Sequence, residues 1–331
     1  MEFDFIKCHG SGNRFVMLDA VQHVPAAPDR LARLVCDPDA GGMEADGLLL
    51  LVRRADGIFG MRMFNPDGSE AEMCGNGIRC IARLAEARSG LHAFSLFSGG
   101  TLYRTERCAD IYPGLPTYGV RIPVRLWSAD FATHRRGESF IAQPIPELDD
   151  TLRFTAISVG NPHIVACVPE GTADDLARLE KLGQRAANLP HLFPNGVNVS
   201  FVEMRGRESI FVATCERGAG VTASCGTAMT SSATAAALLG AVPFGAAIDV
   251  RNRGGMVRCI CRREGEQLET ELIGNATFEC AGRLAVDERL LAGGGECAPE
   301  QKCIKFAVGR GYDGECACYD DFAGTLGGKR I

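Results

Sequence analysis

The sequence has no excess of basic charge: 35 lysines and arginines stand against 41 acids, for a formal charge of −6 and a pI near 5.6. Nothing in that balance favours a nucleic-acid backbone or an anionic membrane as the main partner. Long apolar runs are also missing. The longest aliphatic stretches, such as Leu48 to Val52, fall far short of the roughly 20 residues that span a bilayer. An export signal needs an N-terminal cluster of bases followed by an apolar core, and Met1-Glu2-Phe3-Asp4-Phe5 carries acids instead. Secretion by that route is not expected, and the expected compartment is the reducing cytoplasm. There is no recognisable nucleotide-binding loop. There is also no Cys-x2-Cys pair: the short spacings are Cys259-x-Cys261 and Cys316-x-Cys318, without a nearby histidine set. Neither a cofactor nor a metal site is therefore expected.

What is there is an ordinary folded composition, 331 residues of which 46% are hydrophobic and 23% charged, long enough for two domains. Fifteen cysteines, spread over so large a chain in a reducing compartment, should mostly be thiols. Cys36, Cys167 and Cys280 read as small buried hydrophobes.

The chain carries a faint internal duplication with a period near 150 residues. Asn65-Pro-Asp-Gly-Ser-Glu-Ala-Glu-Met leads to Cys74-Gly75-Asn76-Gly77, and Glu216-Arg-Gly-Ala-Gly-Val-Thr-Ala-Ser leads to Cys225-Gly226-Thr227-Ala228. Each places a polar side chain nine residues before a Cys-Gly. Upstream, Asn13 of a Gly-Asn pair precedes Cys74 by 61 residues, and Asn161 of another precedes Cys225 by 64. Between them, apolar strands opened by Asp46 and Asn198 lie 28 and 27 residues before their cysteines. Three matches in the same order point to two homologous halves.

After each Cys-Gly the pattern turns helical. Ile78, Ile81, Ala82 and Ala85 recur at helical spacing with Arg79, Arg83 and Glu86 between them, which predicts an amphipathic helix stopped by Ser89-Gly90. From Ala228 to Leu239 hardly any charged face remains, as in a helix buried all round. Strands are expected at Phe15–Leu18, Leu48–Val52, Ala156–Val159, Ile164–Val168, Val197–Val202 and Ile210–Ala213, and Tyr118–Trp127 allows another. The expected class is α/β (α+β), each half a strand-rich layer wrapped around a central helix. The stretch from Gly114 to Pro146 reads as the crossing between halves, and the tail beyond about Ala292 matches neither.

A thiolate beside a helix N-terminus gains from unpaired backbone N–H groups and the positive end of the helix dipole, which can lower its pKa. The same N–H groups bind carboxylates. Two such helices facing each other could hold an amino acid's α-carboxylate, with one sulfur on each face of its α-carbon. One thiolate would remove the α-proton while the opposite thiol delivers another, and fixed dipoles would hold the developing charge.

The segment from Asn65 to Cys80 resembles the signature of the diaminopimelate epimerases. His9-Gly-Ser-Gly-Asn13, Gly160-Asn-Pro-His163, Asn198 and Glu216-Arg-Gly-Ala-Gly220 are similar to that family's other motifs, in its order. The resemblance covers roughly residues 3 to 285. It implies cofactor-independent conversion of LL-diaminopimelate to the meso form, on the route to lysine and cell-wall precursors. It also implies two pseudo-symmetric domains with the substrate in the cleft between them, 1–122 plus 274–291 and 123–273, followed by a tail at 292–331 of unknown role. On this resemblance Cys74 and Cys225 are the acid/base pair, and His163 and Glu216 assist the proton transfers. Gly75, Asn76, Gly226 and Thr227 offer donors to the carboxylate. Asn13, Asn65, Asn161, Asn198 and Arg217 hold the remaining polar groups of the substrate. Read on their own, His9 also suits a packed structural role, and Asn65 with Asp67-Gly68 also suits a turn.

Three motif positions depart from the family pattern: Arg14, Glu44 and Val221, in place of aspartate, glycine and glutamate. They leave room for an amino-acid racemase of altered specificity, such as a histidine racemase. A thiol enzyme pairing Cys74 with His163, and a binding protein that never exchanges α-protons, are alternatives of other classes. The expected partner is a small-molecule amino acid, with no nucleic acid or membrane; a homodimer is allowed.

Overall fold

A computed structural model describes residues 1–133, 135, 137–292 and 303–326. The chain divides into two compact units, one of Met1–Val120 with Gly274–Thr325 and one built on Arg121–Ile273. No helix among the described residues is long and apolar enough to cross a membrane. The fold is a mixed α/β one, rich in strands.

The first unit runs β1 (Glu2–Gly10), β2 (Asn13–Asp19), α1 (Pro28–Cys36), β3 (Leu48–Arg53), β4 (Phe59–Phe64), β5 (Glu70–Ala71), α2 (Gly75–Ser89), β6 (Ala93–Ser98), β7 (Thr101–Cys108) and β8 (Thr117–Val124), which leads out of it. The second runs β9 (Gln143–Ile145), β10 (Asp149–Ser158), β11 (Pro162–Cys167), α3 (Leu176–Ala187), β12 (Asn198–Met204), β13 (Ser209–Glu216), β14 (Gly220–Thr222), α4 (Gly226–Leu238), β15 (Ala247–Asn252), β16 (Gly255–Glu264) and β17 (Gln267–Asn275). The chain then returns to the first unit as β18 (Thr277–Val286), α5 (Glu288–Leu291), β19 (Ile304–Gly311) and α6 (Asp313–Thr325).

The duplication read from spacing is present strand by strand. In the first unit β1–β2 is antiparallel, β2–β3 parallel, β3–β4 and β4–β5 antiparallel, β4–β6 parallel and β6–β7 antiparallel. In the second, β10–β11, β11–β12, β12–β13, β13–β14, β13–β15 and β15–β16 repeat that series step for step. α1 and α3 occupy the same place in the two series, as do α2 and α4. The strands expected from apolar runs all form, and each central helix is wrapped by the strands of its own unit.

Each unit has its own apolar core. One gathers Phe5, Val16, Leu18, Leu31, Leu48 and Leu50; the other gathers Phe154, Ile164, Leu179, Val199 and Phe201. α4 is buried from Gly226 to Ala237, as its lack of a charged face implies. α2 differs from expectation in its first turns, where Arg79 is fully buried rather than part of a solvated face. It ends at Gly90, whose left-handed backbone (φ 73°) lets its N–H donate to the Glu86 carbonyl.

Thirteen described cysteines are free thiols, and Cys303 is disulfide-bonded. Cys167 is exposed and Cys36 and Cys280 are half-buried, so none of the three is the fully buried hydrophobe expected. They sit at the end of a strand, the end of a helix, and a strand position only partly covered by its neighbours.

The segment beyond Ala292, which matches neither half in sequence, joins the first unit where it is described; 293–302 and 327–331 lie outside the described residues. β19 pairs antiparallel with β18, and α6 packs on β18. Glu315 accepts two hydrogen bonds from the Arg83 guanidinium, at 2.6 and 2.7 Å. Tyr319 stands edge-on to His9 with ring centroids 4.3 Å apart. A bidentate pair mostly withdrawn from water leaves a costly cation when one partner is removed. Glu315→Ala is therefore expected to lower stability by about 2 kcal/mol, read as a lower urea midpoint, with Glu315→Gln in between. An unchanged midpoint would show that the pair does not hold α6 in place.

Candidate active site

Each unit carries one half of the residues singled out by the motifs. In the first, the Ser11-Gly12 turn between β1 and β2 has both residues at positive φ, 53° and 79°, the twist a two-residue hairpin needs. That turn delivers Asn13 toward the start of α2. The Asn13 amide donates to Asp46 Oδ2 at 2.7 Å and accepts at Oδ1 from Asn76 Nδ2 at 3.3 Å and from the Cys74 thiol at 3.9 Å. Cys74 is the N-cap of α2, in extended conformation (φ −141°, ψ 108°), and its sulfur accepts from the Gly77 N–H at 3.3 Å. Gly77 packs closely on β3, where a Cβ would stand 2.9 Å from Leu49 Cδ2 and would need that side chain to shift.

Asn65 directly follows β4. Its side chain donates to Ser69 Oγ at 2.9 Å within a tight turn that Gly68 closes by donating to the Asn65 carbonyl. The turn expected of Asn65 with Asp67-Gly68 is present. His9 is buried, accepts at Nδ1 from the Gly12 N–H at 3.4 Å and packs on Tyr319.

In the second unit Cys225 is the N-cap of α4, with φ −134° and ψ 109°, nearly the backbone of Cys74. Its sulfur lies 3.3 Å from Thr227 Oγ1, which accepts from Asn161 Nδ2 at 3.2 Å. Asn161 Oδ1 is 3.0 Å from His163 Nε2, and Asn198 Nδ2 is 3.3 Å from the same nitrogen. Asn198 Oδ1 accepts from the Arg217 N–H at 2.9 Å, and the Arg217 guanidinium donates to the Asn195 carbonyl at 2.9 Å. Glu216 accepts from Thr222 Oγ1 at 2.5 Å. Cys225, Thr227, Asn161, His163, Asn198 and the backbone of Arg217 therefore form one continuous network. His163 reaches the sulfur only through Asn161 and Thr227.

The electrostatics depart from the simple helix-dipole expectation. Burial pushes the Cys74 thiol up to about 11, although the Gly77 and Asn76 N–H groups and the Arg79 charge pull the other way. Cys225 is pushed up well above the ordinary thiol value, first by burial and then by the Glu216 carboxylate, against the pull of Thr227 and the Ala228 N–H. Loss of hydration outweighs the helix end in both half-sites. His163 is driven down to about 3 by burial and by the Arg217 charge, so its ring is neutral. Its Nδ1 has no hydrogen-bond partner among the described residues.

Two of the three departing motif residues have local partners. Arg14 donates to Glu279 at 3.2 Å, Glu44 is exposed, and Val221 packs against the core of the second unit. Asp46 and Arg79 hold Asn13 and Asn76; neither is among the expected site residues, although Arg79 lies inside the signature segment. Asp46 marks only a strand start in the sequence, and Arg79 sits where helical periodicity places a solvated charge.

Comparison with known proteins agrees with this arrangement. A family model described as diaminopimelate epimerase matches residues 5–95 and 155–279. A diaminopimelate epimerase of Lactiplantibacillus plantarum is 36% identical over 98% of this chain and 99% of its own. One from Clostridium acetobutylicum is 36% identical over 87% of each. Among solved structures, a Bacillus anthracis phenazine biosynthesis protein of the PhzF family is 16% identical with a TM-score of 0.62, covering 86% of this chain and all of that one. A probable proline racemase from Agrobacterium radiobacter is 14% identical with a TM-score of 0.61, covering 87% of this chain and 95% of that one. These two show a shared fold. With the family model spanning both cysteine helices and relatives aligned along nearly the whole length, the chain belongs to the diaminopimelate epimerase family.

Proposed function

We propose that this chain is a cofactor-independent epimerase that interconverts the LL and meso forms of diaminopimelate in the cytoplasm, supplying lysine and cell-wall precursors. The observation that carries the reading is one arrangement made twice: a cysteine in extended conformation at the N-cap of each central helix, followed by a glycine and a short polar residue. The N–H groups of the first helical turn lie outside the helix's own ladder. Those of Gly75, Asn76, Gly226 and Thr227 would meet the carboxylate on the reacting carbon.

The reading requires the two sulfurs to address opposite faces of one α-carbon. The thiolate takes the α-hydrogen as a proton, and the C–H electron pair passes to the α-carbon and its carboxylate. The opposite thiol then gives its proton to the carbon and becomes the thiolate, so the sulfurs end with exchanged protonation. In the resting protein Cys74 is the readier base, because amide donors and Arg79 oppose its burial. Cys225 is the resting acid, its proton favoured by Glu216. His163, held neutral, acts by fixing Asn161 and Asn198 rather than by carrying a proton. Arg217 would hold the distal carboxylate, for which its fork of donors is suited.

A racemase for another amino acid, such as histidine, is the competing substrate assignment. Arg14, bound to Glu279, and Val221, packed on the core of its unit, weaken the observation that motivates it. A Cys–His nucleophile finds no support in His163, whose Nε2 faces two asparagines.

Cys74→Ala and Cys225→Ala should each lower turnover by at least roughly 100-fold. In heavy water the product should gain α-deuterium before the recovered starting isomer does, since the donating thiol has exchanged with solvent. Near-normal epimerisation by either variant would sink the two-thiol mechanism. Arg217→Met should cost roughly 10- to 150-fold in kcat/KM for LL-diaminopimelate. Faster exchange of histidine than of diaminopimelate by the wild type would instead reassign the substrate.

The neutral state of His163 has its own consequence. The unfolded imidazole binds a proton near pH 6.5, whereas the folded ring does so only near 3. Stability contributed by the neutral ring is therefore complete above about 6.5 and is lost as the pH falls toward 3. The gap in unfolding free energy between wild type and His163→Asn should narrow by roughly 1 kcal/mol per pH unit below 6.5. A gap constant from pH 7 to 5 would mean that the folded ring titrates normally.

A further inference from the structure

We propose that Arg79 is the positioning residue for Cys74: its guanidinium locks the first turn of α2 and puts a permanent positive charge beside the turn that carries the sulfur. This rests on the reading of Cys74 as an acid/base group. Arg79 is fully buried in the interior of the first unit. Its Nη1 donates to the Gly75 carbonyl at 3.0 Å, its Nη2 to Asn76 Oδ1 at 3.0 Å and Ser11 Oγ at 3.2 Å, and its Nε to the Asn275 carbonyl at 3.2 Å. One side chain thereby ties the helix start to the β1–β2 turn and to the end of β17.

The slot that receives it is made by two glycines from opposite ends of the chain. A Cβ at Gly10 would stand 3.0 Å from Arg79 Nη2, and one at Gly274 would stand 3.0 Å from its Cζ. Neither glycine has a positive φ, so the room they leave, rather than backbone freedom, is what the guanidinium uses. Burying a cation is expensive, and an apolar chain of similar length would fill the space without that cost. The hydrogen bonds continue toward the sulfur. Asn76, held by Arg79, donates to Asn13 Oδ1, the atom that also faces the Cys74 thiol.

The second half-site supplies the comparison. Arg79 lies five residues after Cys74, and Thr230 lies five after Cys225. Thr230 Oγ1 donates to the Gly226 carbonyl at 2.8 Å, the same bond that Arg79 makes to Gly75. The equivalent carbonyl is thus held in both helices, and only the first holds it with a charge. That charge favours the Cys74 thiolate, whereas Glu216 opposes the Cys225 thiolate. The other titratable groups around Cys74 do not replace it. Cys80 on α2 pushes the thiol up, and the Cys8 thiol on β1 is hydrogen-bonded to the Cys80 thiol. His9 on β1 holds Gly12, Asp46 is bound to Asn13, and Glu279 on β18 faces Lys7 and Arg14.

The test reads the sulfur separately from turnover. Iodoacetamide labelling of Cys74 and Cys225, followed by peptide mass spectrometry between pH 7.5 and 10 in substrate-free enzyme, is compared for wild type, Arg79→Met and Arg79→Lys. Arg79→Met should slow Cys74 labelling at each pH by roughly three- to tenfold, the equivalent of half to one pKa unit. Cys225 labelling should keep its wild-type rate. In the same variant kcat should fall at least tenfold while KM stays within about threefold. Arg79→Lys keeps the charge without the planar fork, so its Cys74 labelling should be near wild type while kcat is still reduced. Unchanged Cys74 labelling and kcat in Arg79→Met, even with a lowered melting temperature, would leave Arg79 purely structural and overturn the proposal. If Arg79→Met does not fold, a wild-type kcat in Arg79→Lys overturns it instead. Retained epimerisation by Cys74→Ala would defeat the two-thiol mechanism without touching the labelling result, so the two failures are distinguishable.

Discussion

Ionising a sulfur withdrawn from water, as Cys225 is almost wholly and Cys74 in part, costs more than a helix end alone returns. Burial removes hydration from both cysteines and raises both thiols. The N-cap position gives back amide donors, as at Gly77 for Cys74. What remains is adjusted by neighbours of opposite sign, an arginine in one half and a glutamate in the other. A pair of sulfurs with identical surroundings would have no preferred base. Two copies of one scaffold, charged differently, give one group that releases its proton more readily and one that retains it.

Much of this arrangement is legible in the amino-acid sequence. The spacing of Asn13, Asp46, Cys74 and their counterparts reports a duplication that the paired strand series repeats in the same order. The apolar composition from Ala228 to Leu239 reports a helix with no wet face, and α4 has none. The two cysteines that the motifs place at helix starts are the N-caps of α2 and α4. Arg79 is not legible in this way. Periodicity assigns a charged residue to the solvated side of a helix, and nothing local reveals that Gly10 and Gly274 will make a slot for it. Asn65 allows two readings, and its bond to Ser69 realises the turn. The end of the chain is opaque for a related reason: β19 extends from β18, and α6 is held by Arg83 of α2 and packs on His9 of β1, both far upstream.

Divergence between the halves is as informative as their likeness. The same carbonyl one residue after each cysteine is satisfied by Arg79 in one and by Thr230 in the other. A short hydroxyl suffices where α4 is buried among the strands of its unit, since a serine or threonine can bond back along its own helix. The longer side chain in α2 reaches out of its helix to two other segments. The first half-site is therefore tied to its surroundings by a cation, and the second by a chain of neutral amides and an uncharged imidazole.

The way β1 finds its place sets the order in which the molecule can be made. Glu2 pairs with Ala285 and His9 with Thr277, so β1 takes as a partner a strand synthesised long after it. The Arg79 slot is likewise half complete until Gly274 arrives. Until then the series β10 to β16 of the second unit has all its members, while the first unit presents an unpaired strand edge beside an unfinished interior. Such edges are where nascent chains associate wrongly. Demand for a chaperone during synthesis should accordingly fall on the N-terminal third of the chain, and truncation before β18 should yield an aggregating product rather than a smaller folded one.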